Sequence, residues 1–322
     1  MRARIGLAAL VFGSSVALIA GCGTQAAPAP VTVQPVVPQP SGVVEAAGTD
    51  AAPQDCDVEA SLRPAALPEP GAMPPGSTMA EIQSRGKLVV GVDQNQYLFG
   101  YRNPFTGDLE GFDIDVARQI AQAIFGDRNR IQFRVVSGGQ REKALQDGDV
   151  DIVVRTYSIT CDRKTKVAFS TTYFYADQKI LVLKGGGINS AANLSGKKAC
   201  AVEGTTSAAK LLALDAKPTV LGAPTWTDCL VMLQQGQIDA IGTDGVVLAG
   251  LAAQDPNTVI LGPSMSREPY GVGIGKENED LVRFVNAVLD RMRTDGTWEA
   301  LYAPLARNFG PSPGPPEPRY GD

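Results

Sequence analysis

Short apolar segments alternate with amphipathic helical segments twice along residues 79–310, and this alternation limits the possible fold more than any other feature. The first series has predicted strands at 88–92, 131–136 and 151–154, with an apolar helical face over 113–125 that Asp113 is expected to cap. The second series has predicted strands at 199–202, 219–222 and 240–243 and predicted helices at 205–215 and 227–235. Strands that alternate with helices favour parallel sheets, so the sequence predicts an α/β fold with two lobes.

Two more apolar segments, 179–183 and 270–274, lie where the chain would pass between the lobes. We predict that they are crossover strands forming a hinge below a cleft, an arrangement suited to closure around a ligand. The alternative is one continuous sheet with an ordinary edge hairpin. Helices at 278–293 and 296–302 are expected to return to the first lobe. The expected boundaries are 79–181 for the first part of lobe 1, 182–269 for lobe 2 and 270–310 for the return to lobe 1.

The N-terminal residues have the pattern of a targeting signal. Arg2 and Arg4 precede an apolar run at 7–20 that is short for a membrane span, which predicts an export signal over 1–21. The residues before Cys22 resemble the lipobox of bacterial lipoproteins, in which the cysteine is acylated. We therefore expect a protein that is lipid-anchored on the outer face of the cell membrane. An ordinary signal peptide with an incidental cysteine is the alternative.

Proline-rich segments flank the predicted lobes on both sides. Residues 23–78 contain 11 of the 23 prolines and are expected, with Cys22, to form an extended spacer over 22–78. The composition around Cys56 is less repetitive, so we expect 55–78 to be partly held against the folded region. Residues 311–322 are again rich in proline and are expected to be a flexible tail.

The absence of histidine and a net charge of −5 exclude several classes of function. Without histidine the chain lacks the usual general base, the usual zinc ligand and any Ser–His or Cys–His pair, and we expect no catalytic residue, metal or cofactor. No long basic run is present, which argues against nucleic acid as a partner. With Cys22 assigned to lipid, the other four cysteines suit two disulfides, for which the sequence alone permits three connectivities.

Several segments resemble a known family. Residues 107–117 are similar to the GxxxGFDxDxA segment of solute-binding proteins for polar amino acids, and residues 150–173 resemble the D…TxTxER…FSxxY block of that family. The lipid anchor, the spacer and the cysteine positions look most like the glutamine-binding lipoproteins of actinobacteria. The resemblance implies a type II periplasmic-binding-protein-like fold, with a mixed, mainly parallel sheet in each lobe and a two-strand hinge.

The same resemblance implies a function. The protein is expected to be a monomeric receptor that closes its lobes around aspartate, glutamate, asparagine or glutamine. It would present this ligand to an ABC permease or to a membrane sensor protein.

The expected ligand groups come from both lobes. Arg163 matches the family residue that holds the α-carboxylate, for which a guanidinium fork is suited. Asp244 matches the carboxylate that accepts from the ammonium group. Unpaired N–H groups at the start of the second lobe's first helix, near Thr205 and Thr206, favour an anion. The expected ligand-binding residues are Arg163, Asp244, Ser158, Thr156, Thr205, Thr206, Asp93, Arg155 and Tyr97.

Three positions either depart from the family pattern or can be given two different roles. Thr243 stands where some relatives have histidine. Arg155 could contact the side chain of the ligand, which would favour aspartate or glutamate, or could form a salt bridge to an acid of lobe 1. Tyr97 could form an aromatic wall of the site or could serve in packing.

The implied lobes also suggest how the cysteines pair. Cys200 and Cys229 both fall in the second lobe, so we expect a disulfide between them, which leaves Cys56 to pair with Cys161. Two other functions remain open. The first is an enzyme on the same scaffold, such as a cyclohexadienyl-type dehydratase, which would need a carboxyl, cysteine or tyrosine as its general acid. The second is a cell-wall lytic protein with a receptor-like N-terminal domain.

Overall fold

The computed structural model describes residues 38–47 and 55–322, and the predicted signal peptide 1–21 and Cys22 lie outside the described residues. Within this part of the chain, no helix combines the length and the apolar character needed to cross a membrane. The strands are β1 (Val44–Glu45), β2 (Leu88–Val92), β3 (Asn95–Gln96), β4 (Gly100–Arg102), β5 (Leu109–Glu110), β6 (Ile131–Val135), β7 (Ile152–Val153), β8 (Ala168–Phe169), β9 (Phe174–Leu183), β10 (Lys198–Val202), β11 (Thr219–Ala223), β12 (Ala240–Asp244), β13 (Thr258–Leu261), β14 (Arg267–Tyr270) and β15 (Gly273–Ile274). The helices are α1 (Thr78–Arg85), α2 (Phe112–Phe125), α3 (Arg141–Gln146), α4 (Cys161–Lys166), α5 (Thr206–Leu212), α6 (Trp226–Gln234), α7 (Gly245–Gln254), α8 (Glu279–Thr294), α9 (Thr297–Tyr302) and α10 (Ala306–Phe309).

Lobe 1 is built on a sheet with the order β6-β2-β7-β15-β8, in which β2 runs parallel to β6 and β7. Helix α2 packs on this sheet with its apolar face, and Ile114, Ile120 and Ile124 are fully buried. The predicted helix at 113–125 is thus confirmed to within one residue. Its expected cap is wrong, because the helix begins after Gly111 and the Asp113 side chain turns inwards to bind another segment.

Lobe 2 is built on a sheet with the order β1-β11-β10-β12-β9-β13. Strand β10 runs parallel to β11 and β12, and β9 is antiparallel to β12 and β13. The predicted strands and helices of this lobe are found within a few residues of their expected bounds. The prediction of an α/β fold with a mixed sheet in each lobe is confirmed.

The chain passes between the lobes at the start of β9 and along β14, which pair in antiparallel fashion from Phe174 opposite Tyr270 to Asp177 opposite Arg267. This pairing corrects the expected crossover segments. Residues 179–183 lie inside the lobe 2 sheet, and Gly273–Ile274 belongs to the lobe 1 sheet. The expected boundary between 181 and 182 therefore falls within β9. The reason is that the apolar run marks the half of a ten-residue strand whose centre, residues 180–182, is buried in the sheet, whereas the crossing half is more polar.

The proline-rich segments contact the lobes more extensively than the sequence indicates. Strand β1, within the expected spacer, pairs with β11 at the edge of the lobe 2 sheet. The expected flexible tail at 311–322 instead lies along lobe 1. There Tyr320 forms a β-bridge to Ser61 and donates a hydrogen bond from its hydroxyl to Asp290 (2.7 Å), and Asp322 pairs with Arg283 (2.7 Å). Composition alone gave no sign of these contacts because each depends on a partner far away in the sequence.

Two disulfides join distant parts of the chain. Cys56 is bonded to Cys161, which attaches the end of the spacer to α4 beside Arg163. Cys200 is bonded to Cys229, which links β10 to α6 inside lobe 2. The connectivity is the one that the two-lobed topology suggested.

Replacing Cys200 and Cys229 together by alanine should lower the free energy of unfolding by about 3 to 4 kcal/mol, because the bond closes a loop that restricts the unfolded chain. Urea unfolding followed by circular dichroism measures this change. Replacing Cys56 and Cys161 by alanine in a separate variant should lower the free energy of unfolding more, by about 5 kcal/mol, because that loop spans 105 residues. Unfolding midpoints equal to the wild-type value would contradict this account.

Candidate functional site

Seven of the nine expected ligand residues line one small cavity between the lobes. Its volume is ≈ 10 Å³, far too small for anything larger than a water molecule. The seven residues are Arg155, Thr156, Ser158, Arg163, Thr205, Thr206 and Asp244. A small molecule can therefore reach this site only when the lobes separate. Five further lining residues were not expected from the sequence: Arg141, Ser207, Trp226, Thr243 and Val247.

Arg163 lies in the first turn of α4, which begins after the capping residue Thr160. Its Nη1 donates to the carbonyl of Ser158 in lobe 1 (2.7 Å), and its Nη2 donates to the carbonyl of Gly204 in lobe 2 (3.3 Å). The guanidinium group also lies over the ring of Tyr157. Arg163 is therefore held in a fixed orientation between the lobes, and it is only 6% exposed.

Arg141 is the most important residue that sequence reasoning missed. It begins α3, is 2% exposed, and its Nε and Nη2 donate to the carbonyls of Gly138 (2.8 Å) and Gly204 (3.4 Å). Burial, and then the nearby cations Arg163 and Arg155, lower the pKa of Arg141 to about 9. The sequence around it resembles an ordinary exposed helix, and no local signal distinguishes this arginine from a surface one.

Arg155 forms an ion pair with Asp93 (2.6 Å) in which both side chains are 5% exposed. Of the two interpretations given for Arg155, the salt bridge within lobe 1 is thus present. The same side chain still lines the cavity, and its Nε is buried without a hydrogen-bond partner among the described residues. Asp93 does not line the cavity and contributes through Arg155.

Asp244 ends strand β12 and is 5% exposed. Burial, reinforced by the nearby Glu268, raises the pKa of Asp244 to about 7. Its Oδ2 accepts a hydrogen bond from the Tyr270 hydroxyl, whereas its Oδ1 is buried and has no hydrogen-bond partner in the described part of the chain. A buried carboxylate oxygen without a donor favours a cationic or hydrogen-bonding ligand group at that point.

Thr156 has a backbone conformation that is unusual for a β-branched residue, with φ of 36°. Its N–H donates to Asp113 Oδ2 (2.8 Å), and its hydroxyl donates to Gln96 Oε1 (3.0 Å). The Tyr173 hydroxyl donates to the other oxygen of Asp113 (2.7 Å), and burial raises the pKa of Asp113 to about 6. These bonds explain why the Asp113 side chain points inwards. It holds Thr156, whose backbone is strained, in its place in the site.

Close backbone contacts bring the two lobes together on both sides of the cavity. On one side, a β-carbon added to Gly204 would lie 2.8 Å from Cα of Gly139. On the other, a β-carbon added to Gly250 in α7 would lie 2.9 Å from the Tyr97 carbonyl oxygen. Tyr97 therefore serves in packing between the lobes, and the aromatic wall that it could have formed is contributed by Trp226.

A second cavity of ≈ 840 Å³ lies behind the hinge strands and contains none of the expected ligand residues. Its walls include Phe174, Trp298 and Tyr302, together with Pro313 and Pro316 of the C-terminal tail. Its mixed apolar and charged wall has no convergent set of buried polar groups. The cavity between the lobes, although much smaller, is the one with the polar groups that a specific site requires.

Comparison with known proteins agrees with the two-lobed fold. A family model for bacterial extracellular solute-binding proteins, family 3, matches residues 88–305. The chain is 40% identical over 226 residues to the ABC transporter glutamine-binding protein GlnH of Bacillus subtilis, covering 70% of this chain and 83% of that protein. It is 32% identical over 237 residues to the glutamate-binding protein GluB of Corynebacterium glutamicum, covering 70% and 79%. The structure of holo ArgBP from T. maritima superposes with a TM-score of 0.63 at 29% identity, covering 71% of this chain and 98% of that one.

Gly250→Ala should hinder closure without weakening the fold, because the added methyl group meets the Tyr97 carbonyl while alanine favours the helix by about 1 kcal/mol. Small-angle scattering, with a solute that compacts the wild-type protein, should give a larger radius of gyration for the variant. Gly139→Ala is the matched control, since its added methyl group would lie 4.0 Å from the nearest atom across the lobes. Equal compaction of both variants would contradict the role of this contact.

Proposed function

The chain belongs to family 3 of the bacterial extracellular solute-binding proteins, and we propose that it captures a polar or acidic amino acid between its lobes and presents it to a membrane partner. The observation that carries this proposal is the cavity between the lobes, whose wall combines three guanidinium groups with one carboxylate, of which one oxygen has no partner in the described part of the chain. An amino acid is a zwitterion and needs groups of both signs at a short separation.

Arg163 holds the α-carboxylate of this ligand. Its guanidinium group is buried, and its contacts with lobe 1 and lobe 2 leave it directed between them. Ser158 and Thr206 add hydroxyl groups from opposite lobes, with their oxygens 3.4 Å apart. The carbonyl of Gly204, which accepts from Arg163 in the closed protein, moves away with lobe 2 when the cleft opens. The carboxylate of an entering ligand replaces that acceptor.

Asp244 accepts from the α-ammonium group. Its Oδ1 is a buried acceptor without a donor among the described residues, and an ammonium group supplies both the donor and the opposite charge. The positive charge of the ligand also favours the ionised form of Asp244, whose pKa burial raises to about 7.

The side chain of the ligand carries an acid or an amide, with the acid favoured. Arg155 is paired with Asp93, but Arg141 has no acidic group within 4.0 Å among the described residues. The nearby Glu142 pairs with Nε of Arg163 (3.4 Å), so that Arg141 has no ion-pair partner of its own among the described residues after Arg163 and Asp244 have bound the zwitterion. A distal carboxylate supplies that partner, which supports aspartate or glutamate over asparagine or glutamine. The glutamine-binding and glutamate-binding relatives support the same group of ligands.

The membrane partner is an ABC permease or a membrane sensor, and the receptor acts as a monomer. The name of the Bacillus subtilis relative, which belongs to an ABC transporter, supports the first of these partners. Acylation of Cys22 would keep the receptor near either partner, and the export pattern over 1–21 supports this anchor. The relatives are transport-binding proteins, which supports a receptor rather than an enzyme such as a dehydratase. Turnover of a candidate substrate by the purified protein would reverse that choice.

Arg163→Ala should abolish amino-acid binding while the protein stays folded. A thermal-shift screen of the twenty amino acids, followed by calorimetry, measures the binding, because a ligand of the folded state raises apparent stability. Arg134→Ala is the control, since Arg134 lies in lobe 1 with 47% of its side chain exposed and pairs with Asp149. If the Arg163 variant bound with wild-type affinity, its assignment as the carboxylate ligand would be wrong.

Arg141→Met should lower the affinity for aspartate and glutamate about tenfold more than the affinity for asparagine and glutamine, because only the acids lose a charge-assisted bond. Calorimetry with the four amino acids measures the ratio. Arg155→Met provides the contrast. It leaves Asp93 buried without its ion pair and should weaken all four ligands alike. An equal loss for all four ligands in the Arg141 variant would mean that this arginine does not contact the ligand side chain.

A further inference from the structure

Tyr270 connects the hinge to the carboxylate on the lobe 2 side of the site. It is the last residue of β14, it is fully buried, and its hydroxyl donates to Oδ2 of Asp244. The other oxygen of Asp244, Oδ1, has no hydrogen-bond partner among the described residues. A donor fixed on one carboxylate oxygen determines the direction in which the other oxygen points.

The backbone around Tyr270 is held by lobe 1. Tyr270 forms an antiparallel bridge with Ser158, a residue of the candidate site. On either side of this bridge, Ile159 donates to the carbonyl of Pro269 (2.8 Å) and Gly271 donates to the carbonyl of Tyr157 (3.1 Å). The backbone of Tyr270 is thus hydrogen-bonded to the lobe 1 segment that contains Ser158, while its hydroxyl reaches a carboxylate of the opposite lobe.

The ring of Tyr270 has no free space in which to turn. It stacks on Phe174 at a centroid distance of 6.0 Å and contacts the rings of Phe99 (6.4 Å) and Tyr173 (6.3 Å). The hydroxyl therefore keeps its position relative to lobe 1. The bond to Asp244, the last residue of a lobe 2 strand, therefore joins the two lobes in the arrangement that the structure shows.

We propose that Tyr270 is a positioning residue that acts through Asp244: in the closed form its hydroxyl fixes Oδ2 and directs Oδ1 towards the ammonium group of the ligand. This inference rests on the proposed function. It makes recognition of the ammonium group conditional on closure, because the same rotation that brings Asp244 to the ligand also brings it to Tyr270. A ligand that lacks the ammonium group gains nothing from this arrangement.

The charged groups around Asp244 set the expected response to pH. Glu268, on the same strand as Tyr270, raises the pKa of Asp244 in addition to burial, while the Tyr270 hydroxyl, Arg163 and Arg141 lower it. An ammonium group binds the ionised carboxylate, so affinity should fall as the pH drops below about 7. Removing the hydroxyl raises the pKa of Asp244 and should move this fall to higher pH.

The test is Tyr270→Phe, studied by calorimetry with L-glutamate and with glutarate, which keeps both carboxylates and lacks the ammonium group. The affinity for L-glutamate should fall about tenfold, whereas that for glutarate should change less than about twofold. The pH at which the L-glutamate affinity falls should rise. In an Asp244→Asn background the same substitution should have little further effect, since its target is gone.

Tyr302→Phe is the matched control, because it removes a hydroxyl from a ring that stacks on the same Phe174 and donates to the carbonyl of Gly310 (3.5 Å) instead of to a carboxylate. It should leave the affinity for L-glutamate and its pH dependence unchanged. Equal losses for L-glutamate and glutarate, or an unchanged pH profile in Tyr270→Phe, would overturn the inference and leave the proposed function intact. If the wild-type protein bound none of the twenty amino acids, both this inference and the proposed function would be overturned.

Discussion

The structure depends on the burial of charges of both signs where the two lobes meet. Arg163 and Arg141 both donate to the carbonyl of Gly204 across the cleft, and Asp244 faces them from lobe 2. Such groups lose much of their hydration when the lobes close, and they are stable there only with partners of suitable charge and geometry. Because these groups need hydrogen bonds and counter-ions, the neighbouring residues are fixed by hydrogen bonds and ion pairs.

Several residues around the charged groups hold them in position. Tyr157 lies beneath both Arg141 and Arg163, Asp113 fixes the strained Thr156, and Asp93 pairs with Arg155. Tyr157, Asp113 and Asp93 are all buried. They lie in lobe 1, which includes the disulfide beside α4 and supplies the three arginines of the cavity wall, whereas lobe 2 supplies its carboxylate and more of its lining residues. We infer a division of roles in which lobe 1 is a preformed half-site and lobe 2 completes it.

The hinge is more than a flexible connection between the lobes. Its two strands place Phe174 and Tyr270 opposite each other, and their rings continue through Trp298 to Tyr302 in a stacked column. The sequence predicted two crossover strands but placed them a few residues too far along, because hydrophobicity marks burial in a sheet and not the point where a chain leaves it.

The sequence by itself determined the order of strands and helices, the two lobes and most of the residues that meet in the cleft. These follow from local periodicity and from motifs such as the one that contains Arg163, and both are properties of neighbouring residues. Only the tertiary structure decided the role of Arg141, the pairing of Arg155 with Asp93, the packing role of Tyr97 and the attachment of the C-terminal tail. Each of these features depends on groups that are far apart in the chain and close in space. A residue that folding buries or pairs with a distant charge has no distinguishing pattern among its sequence neighbours.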